Sequence, residues 1–445
     1  MASMRVNNPG YSSLKHRLRW RVWDSIVLII VFLGGFFEEP LHIATAQSGV
    51  CNATFHSVGV PLTELGNKEY IRMDGQATGF TGGLYPQGSN QPPAAHLAAG
   101  LQQVKEIVPR NALGQPDPDK GRIGVVSVGM SNTNAEFDAF TKLVQKDVSI
   151  NPHVVLINGA LGGQTSDKWV DPTAITWQEL SHTLQRMNLT AEQVQVAWIK
   201  ETRTRGGDFP GKAQELQADL QAIVTNLKAV FPNLRIAYLS SRIYSYTYER
   251  GLSPEPVAYE TGFAVKWLIE DQLDGSAALN YDPDKGSVSA PILFWGPYLW
   301  ANGEVPRVAD GLTWLPEDLT SDCTHPSSEG MVKVAGMLLK FFKEDPTTRT
   351  WFLKDAGGIN DLYLPTVTKT SIPTIPVRNT PTLQVTDFRP SASPFMTPSN
   401  FVSTEITEPV QTRNSPIIPV LLVFGGVFTG GMIVRWLYRN NHPGG

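Results

Sequence analysis

The sequence predicts an α/β fold in three layers, α/β/α, with a central parallel sheet. Three observations predict it. Short apolar runs at 123–128, 154–157 and 235–239 have the length and flanks of buried strands. Apolar residues between them recur at helical spacing. Strands alternating with helices of this length imply a parallel sheet covered on both faces. Ligands of such sheets sit beyond the carboxyl ends of the strands, so the loops there are where chemistry is sought.

Taken in order, residues 79–86 and 90–93 carry the Gly, Pro and Asn of turns. Their glycines do not precede a basic helix start, as a phosphate loop requires. Residues 94–108 read as a helix. The strand at 123–128 is bounded by glycine, and Phe137, Phe140, Leu143 and Val144 then mark a helix. Val154, Val155, Leu156 and Ile157 form a second buried strand. Leu216, Leu220, Ile223, Leu227 and Val230 mark a long amphipathic helix. After the strand at 235–239, Phe263, Trp267 and Leu268 sit on a further helix, and Val332, Leu338, Leu339 and Phe342 on the last.

The two ends read as membrane signals. Lys15, Arg17, Arg19 and Arg21 precede an apolar run at 26–37 and the small-x-small pattern Ala44-Thr45-Ala46. Charge, a short apolar core and a cleavable end make residues 1–46 a secretory signal peptide, or an uncleaved anchor. Residues 417–434 are apolar and free of charge, long enough for a transmembrane helix. Arg435 and Arg439 behind them put the tail 435–445 in the cytoplasm and the body outside. Residues 364–415, rich in Pro, Thr and Ser, read as an extended stalk. The globular body then divides into an extension, 47–120, and the α/β domain, 121–354. The expected location is the cell envelope, with the body extracytoplasmic.

Composition narrows the function further. A net charge of -4 and no basic stripe speak against a nucleic-acid partner. No His/Asp/Glu cluster has metal-ligand spacing, so neither metal nor cofactor is expected. Two cysteines exclude a disulfide-dense scaffold. Export would place Cys51 and Cys323 where they could pair, but the sequence leaves a bridge and two separate thiols both open.

Three motifs fall on the predicted strand ends. Ser131, in Gly129-Met130-Ser131-Asn132-Thr133, ends the first strand and opens a helix, whose N-terminus stabilises a developing anion. Gly162 and Gly163, after the second strand, let the backbone approach a substrate oxygen and donate an N–H. Asp322 and His325 lie three residues apart before the last helix and supply a base and its orienting carboxylate. Taken singly, each has a plain reading as a helix cap, a glycine turn or a solvated surface loop.

Together the three resemble the SGNH (GDSL-type) hydrolases, across residues 123–342. Gly129-Met130-Ser131-Asn132, Gly162-Gly163-Gln164-Thr165 and Trp169 look most like the sialate O-acetylesterase branch. The resemblance implies carboxylic-ester hydrolysis: Ser131 attacks, His325 moves the proton, and Asp322 orients His325. The N–H groups of Ser131 and of Gly162 or Gly163 would form the oxyanion hole. The family's third block, Gly-x-Asn-Asp or Gln-Gly-Glu, is missing. Ala197-Trp198-Ile199-Lys200-Glu201-Thr202 stands there, with no amide donor. Lys200 is either a substitute donor or a salt-bridged surface lysine.

The expected function is therefore a membrane-tethered serine esterase acting on an acylated glycan or similar small ester. The alternative is a catalytically weakened glycan-binding module, which the altered third block favours. Phe294, Trp295, Tyr298 and Trp300 either stack a sugar ring or pack the core, and aromatics mainly do the latter. Tyr244, Tyr246 and Tyr248 are open to the same two readings.

Overall fold

The structure is a computed structural model and describes residues 51, 57, 59–205, 207–248 and 251–355. The expected signal peptide, stalk, membrane helix and tail lie outside the described residues. Among the described residues no helix is long and apolar enough to cross a membrane.

The core is a five-stranded parallel sheet, β3 (Ile123–Gly129), β4 (Val154–Asn158), β5 (Val194–Lys200), β6 (Ile236–Leu239) and β7 (Ile292–Trp295), in spatial order β4-β3-β5-β6-β7. β3 and β5 are buried at every residue, which is why β3 reads as an almost continuous apolar run, while β5 carries Gln195 and Lys200 into the same burial. The connecting helices are α3 (Ser131–Val144), α4 (Ile175–Arg186), α5 (Gly211–Val230) and α6 (Val257–Leu273), followed by α7 (Ser328–Glu344). The chain steps one way from β3 to β4 and the other way from β4 to β5, β6 and β7. Right-handed crossovers therefore put α3 on one face and α4, α5 and α6 on the opposite one. The reversal leaves a crevice between the carboxyl ends of β3 and β5, where ligands of such sheets bind.

On the α3 face, Trp198 and Tyr238 stand side by side in register. Phe137 of α3 stacks on Trp198 at 5.9 Å and Phe341 of α7 meets Tyr238 edge-on at 5.1 Å. Phe140 and Phe342 join the two helices at 5.4 Å. Truncating a ring as buried as Trp198 costs about 3–5 kcal/mol.

The extension before β3 was the least legible part of the body. It forms a short helix, α1 (Leu62–Leu65), an antiparallel pair, β1 (Glu69–Ile71) and β2 (Ala77–Thr81), and the helix α2 (Ala94–Lys105). It is bound into the core rather than set apart from it. Tyr70 stacks on Phe263 of α6 at 5.3 Å, and the Lys266 ammonium donates to the carbonyls of Thr81 and Gly82.

The aromatic run before the last helix is core. Phe294 and Trp295 belong to β7, and with Tyr298 and Trp300 they are buried. Their ring contacts and the Trp295 and Trp300 N–H bonds to Leu84 and Glu255 are internal. Tyr244 and Tyr246 are buried as well, whereas Tyr248 is about half exposed.

Candidate active site

β3 ends at Gly129 because nothing larger fits. A Cβ there would collide with Thr133 and with the Lys200 carbonyl. Met130 is extended and α3 begins at Ser131, so the serine stands at the helix N-terminus on the edge of the crevice. No side chain caps α3, which leaves its first amides for an incoming anion.

The turn is tied on both sides. Thr133 Oγ1 donates to the Lys200 carbonyl at 2.7 Å, joining it to β5. Asn134 Nδ2 donates to the Ala160 carbonyl at 2.7 Å, and Asn158 Nδ2 returns a bond to the Asn134 carbonyl at 2.8 Å. Leu161 N–H donates to the Gly129 carbonyl at 2.9 Å, which folds the loop after β4 back over the serine turn. Gly162 thereby faces the serine: a Cβ built on it would lie 4.0 Å from Ser131 Cβ. Gly163 has a left-handed backbone, φ +74°, with open space around it.

Asp322 and His325 reach the serine from the loop that enters α7. The loop is pinched at its base by Ser327 N–H on the Asp318 carbonyl and Thr320 N–H on the His325 carbonyl, both 2.8 Å. Ser327 caps α7 through Gly330 N–H. Inside the loop Asp322 Oδ1 accepts from His325 N–H at 2.9 Å, Thr324 N–H at 3.0 Å and Thr320 Oγ1 at 2.8 Å. Asp322 Oδ2 lies 2.5 Å from His325 Nδ1, and His325 Nε2 lies 2.7 Å from Ser131 Oγ. The structure thus brings Ser131, His325 and Asp322 into one hydrogen-bonded line. Asn132 Nδ2 adds a bond to the Thr324 carbonyl at 3.0 Å, linking the serine turn directly to this loop.

Partial burial pushes the Asp322 carboxyl up, but the bonds from His325, Thr324 and Thr320 outweigh it and hold it down at about 2. An ionised Asp322 fixes the proton of His325 on Nδ1, so Nε2 is free to accept from the serine hydroxyl. The side chains of Asp322 and His325 are 48% and 26% exposed, so the line of groups lies open at the surface rather than in a closed chamber.

Lys200 requires a correction. Its ammonium is held by both carboxylate oxygens of Glu136, each at 2.5 Å, and neither side chain has any exposed surface. Lys200 is neither a surface lysine nor a donor turned toward an oxyanion; it is half of a buried ion pair beneath α3. Burial pushes its pKa down to about 8, Glu136 pulling it back up and Arg242 adding to the fall. Arg242 and Glu201, both buried, complete the group. Burial lowers the guanidinium and raises the Glu201 carboxyl, each opposed by the other's charge.

The sequence analysis met Asn132 only as part of the serine motif and gave no role to Thr133, Asn134, Glu136, Asn158 or Thr320, which tie the site together. Only the run Asn132-Thr133-Asn134 carried a signal, as three small polar residues in the first turn of a helix. Among the described residues no group of three or more His, Cys, Asp or Glu could hold a metal ion.

No family model matches the chain, and comparison with curated proteins finds no match. Solved structures give slight likenesses. A Bacteroides fragilis protein provisionally described as an acylhydrolase is 15% identical, with a TM-score of 0.30 over 56% of this chain and 96% of its own. The periplasmic domain of a lipopolysaccharide acetyltransferase from Salmonella ser. Paratyphi A is 10% identical, TM-score 0.30, over 55% and 94%. A gut microbial diltiazem-metabolizing enzyme is 17% identical, TM-score 0.29, over 50% of this chain and 47% of its own. Likenesses of this degree carry no argument about activity, which rests on the site itself.

Proposed function

We propose that the chain is a serine ester hydrolase with Ser131 as nucleophile, His325 as general base and Asp322 as its orienting partner. One observation carries the reading: the unbroken line Ser131 Oγ–His325 Nε2 and His325 Nδ1–Asp322 Oδ2, at 2.7 and 2.5 Å, on an uncapped helix N-terminus. Ser131 Oγ attacks the ester carbonyl while His325 Nε2 takes its proton. The oxyanion forms beside the Ser131 N–H and the N–H of Gly162 or Gly163. His325 returns the proton to the leaving alcohol, and water then releases the acid by the same steps in reverse.

Acylated carbohydrate is the substrate class that fits best. The partly exposed His325 leaves room for a bulky alcohol, and the motifs around Ser131 and Gly162 resemble those of sialate O-acetylesterases. The body would work outside the membrane, in the cell envelope, held by residues 417–434. Bound to Glu136, Lys200 supplies no third oxyanion donor, and one such donor is worth about 100- to 1,000-fold in rate. That observation favours the second reading, a weakened glycan-binding module.

The test is hydrolysis of p-nitrophenyl acetate and of acetylated monosaccharides by the full chain in detergent micelles, with Ser131→Ala alongside. Turnover that vanishes in the variant supports the esterase. A folded wild type no faster than the variant on either substrate removes it and leaves the binding module.

A further inference from the structure

Cys323 stands between the two loop members of the site, one residue after Asp322 and two before His325. It is bonded to Cys51, 272 residues earlier, with 5.4 Å between the Cα atoms. Its backbone is left-handed, φ +60°, a conformation an L side chain adopts at a cost of about 1–2 kcal/mol. Apolar packing within the loop offers little to hold it there. Between Thr320 and His325 no large apolar side chain is buried, and Asp322 is about half exposed. What fixes the turn is polar and covalent: Cys323 N–H on the Thr320 carbonyl, Tyr246 N–H and Ser245 Oγ on the Cys323 carbonyl, and the sulfur bridge to the buried Cys51.

We propose that the Cys51–Cys323 disulfide is a positioning element of the catalytic reaction, holding Asp322 and His325 in register with Ser131. The proposal rests on the esterase reading above. Without the bridge, Cys323 has one covalent reason fewer to keep its left-handed turn. Relaxation there moves Asp322 and His325 first, because they flank it. A displacement of about 1 Å in an acid–base group costs on the order of 100-fold in rate. The loss falls on the proton transfer that His325 and Asp322 perform rather than on substrate binding. The signature is therefore a fall in kcat at nearly constant KM in a protein that stays folded.

The test uses the full chain in detergent, oxidised or reduced by dithiothreitol. That dithiol gives up two electrons and two protons to the bridge, leaving two thiols, and is itself oxidised to its cyclic disulfide. Cys51→Ser is the second route to the open loop. Thiol titration reports the state of the bridge, circular dichroism reports folding, and ester hydrolysis gives kcat and KM. The expected result is a 10- to 100-fold drop in kcat on reduction and in Cys51→Ser, reversed on reoxidation for the wild type only. A reduced, folded protein within twofold of the oxidised kcat overturns the proposal, while a dead Ser131→Ala variant keeps the esterase reading standing. Loss of the folded state together with activity assigns the bond to stability alone and also overturns it. An oxidised wild type without activity brings down the esterase reading and this proposal with it.

Discussion

The two halves of the site are held by different means. The serine turn is part of the sheet: Met130, Asn132, Thr133 and Glu136 are buried, and the turn is tied to β5 through Thr133, to the loop after β4 through Asn134 and to a buried ion pair through Glu136. The Asp322–His325 loop is held by its own hydrogen bonds, by a few bonds from Asn132, Ser245 and Tyr246 to its carbonyls and by one disulfide, with Asp322 and His325 partly in solvent. A change under the turn should therefore disturb folding, and a change in the loop should disturb chemistry with the fold intact. Each prediction tests that division.

On the proposed esterase reading the largest effects belong to Ser131, His325 and Asp322. Ser131→Ala and His325→Ala should each lower kcat by about a millionfold, or to background, because the three groups act as a unit. Thermal midpoints should stay near the wild type, and a large drop would mean the loop and turn are less independent than described. Asp322→Asn should cost about 10,000-fold in kcat by allowing the wrong His325 tautomer. Asp322 also leaves a pH signature in stability. Its folded carboxyl sits at about 2 against an ordinary 3.8, so its contribution is complete above that ordinary value and lost as pH falls through 2. The stability gap between wild type and Asp322→Asn, read by urea unfolding, should be constant from neutrality to about pH 5 and shrink below pH 4.

Under the turn the order reverses. Glu136→Ala leaves the Lys200 ammonium buried and unpaired, and should destabilise the fold by about 3–5 kcal/mol, read by urea unfolding. The double variant Glu136→Leu, Lys200→Met removes both charges and should recover most of that loss. If Glu136→Ala unfolds no more easily than wild type, the pair is not what holds the turn.

The same division explains what the sequence disclosed. Strands β3, β4 and β6 announced themselves because a parallel sheet buries both faces, so its strands are plain apolar runs. Ser131, Asp322 and His325, which the structure brings into one hydrogen-bonded line, were legible by position, because the loops at strand ends and before helices are where such side chains converge. β7 was hidden inside an aromatic run, since Phe294 and Trp295 look alike whether they pack a core or line a groove. Lys200 was misread for a related reason. Its position at a strand end is visible in the sequence, but its direction depends on Glu136, which lies 64 residues away and meets it only in the folded sheet. The Cys51–Cys323 pairing likewise needed the fold, because two cysteines do not say whether they meet.

The smallest expected effect lies where the two halves face each other across the serine. Gly163 is left-handed, φ +74°, with nothing within 4 Å of a would-be Cβ, so Gly163→Ala meets backbone strain and no clash. It should cost about 1 kcal/mol, a shift of about 2 °C in thermal midpoint for a protein of this size. Gly162→Ala places a methyl in ordinary contact with Ser131 Cβ and should leave the midpoint nearly unchanged. Its effect, if Gly162 supplies the oxyanion N–H, is on kcat, through a methyl beside the reacting oxygen. Measuring both variants by thermal melt and by ester hydrolysis separates the two glycines. A rate loss confined to Gly163→Ala would move the donor to that residue. A loss confined to Gly162→Ala would place it against the serine, where the loop after β4 is tied to Gly129.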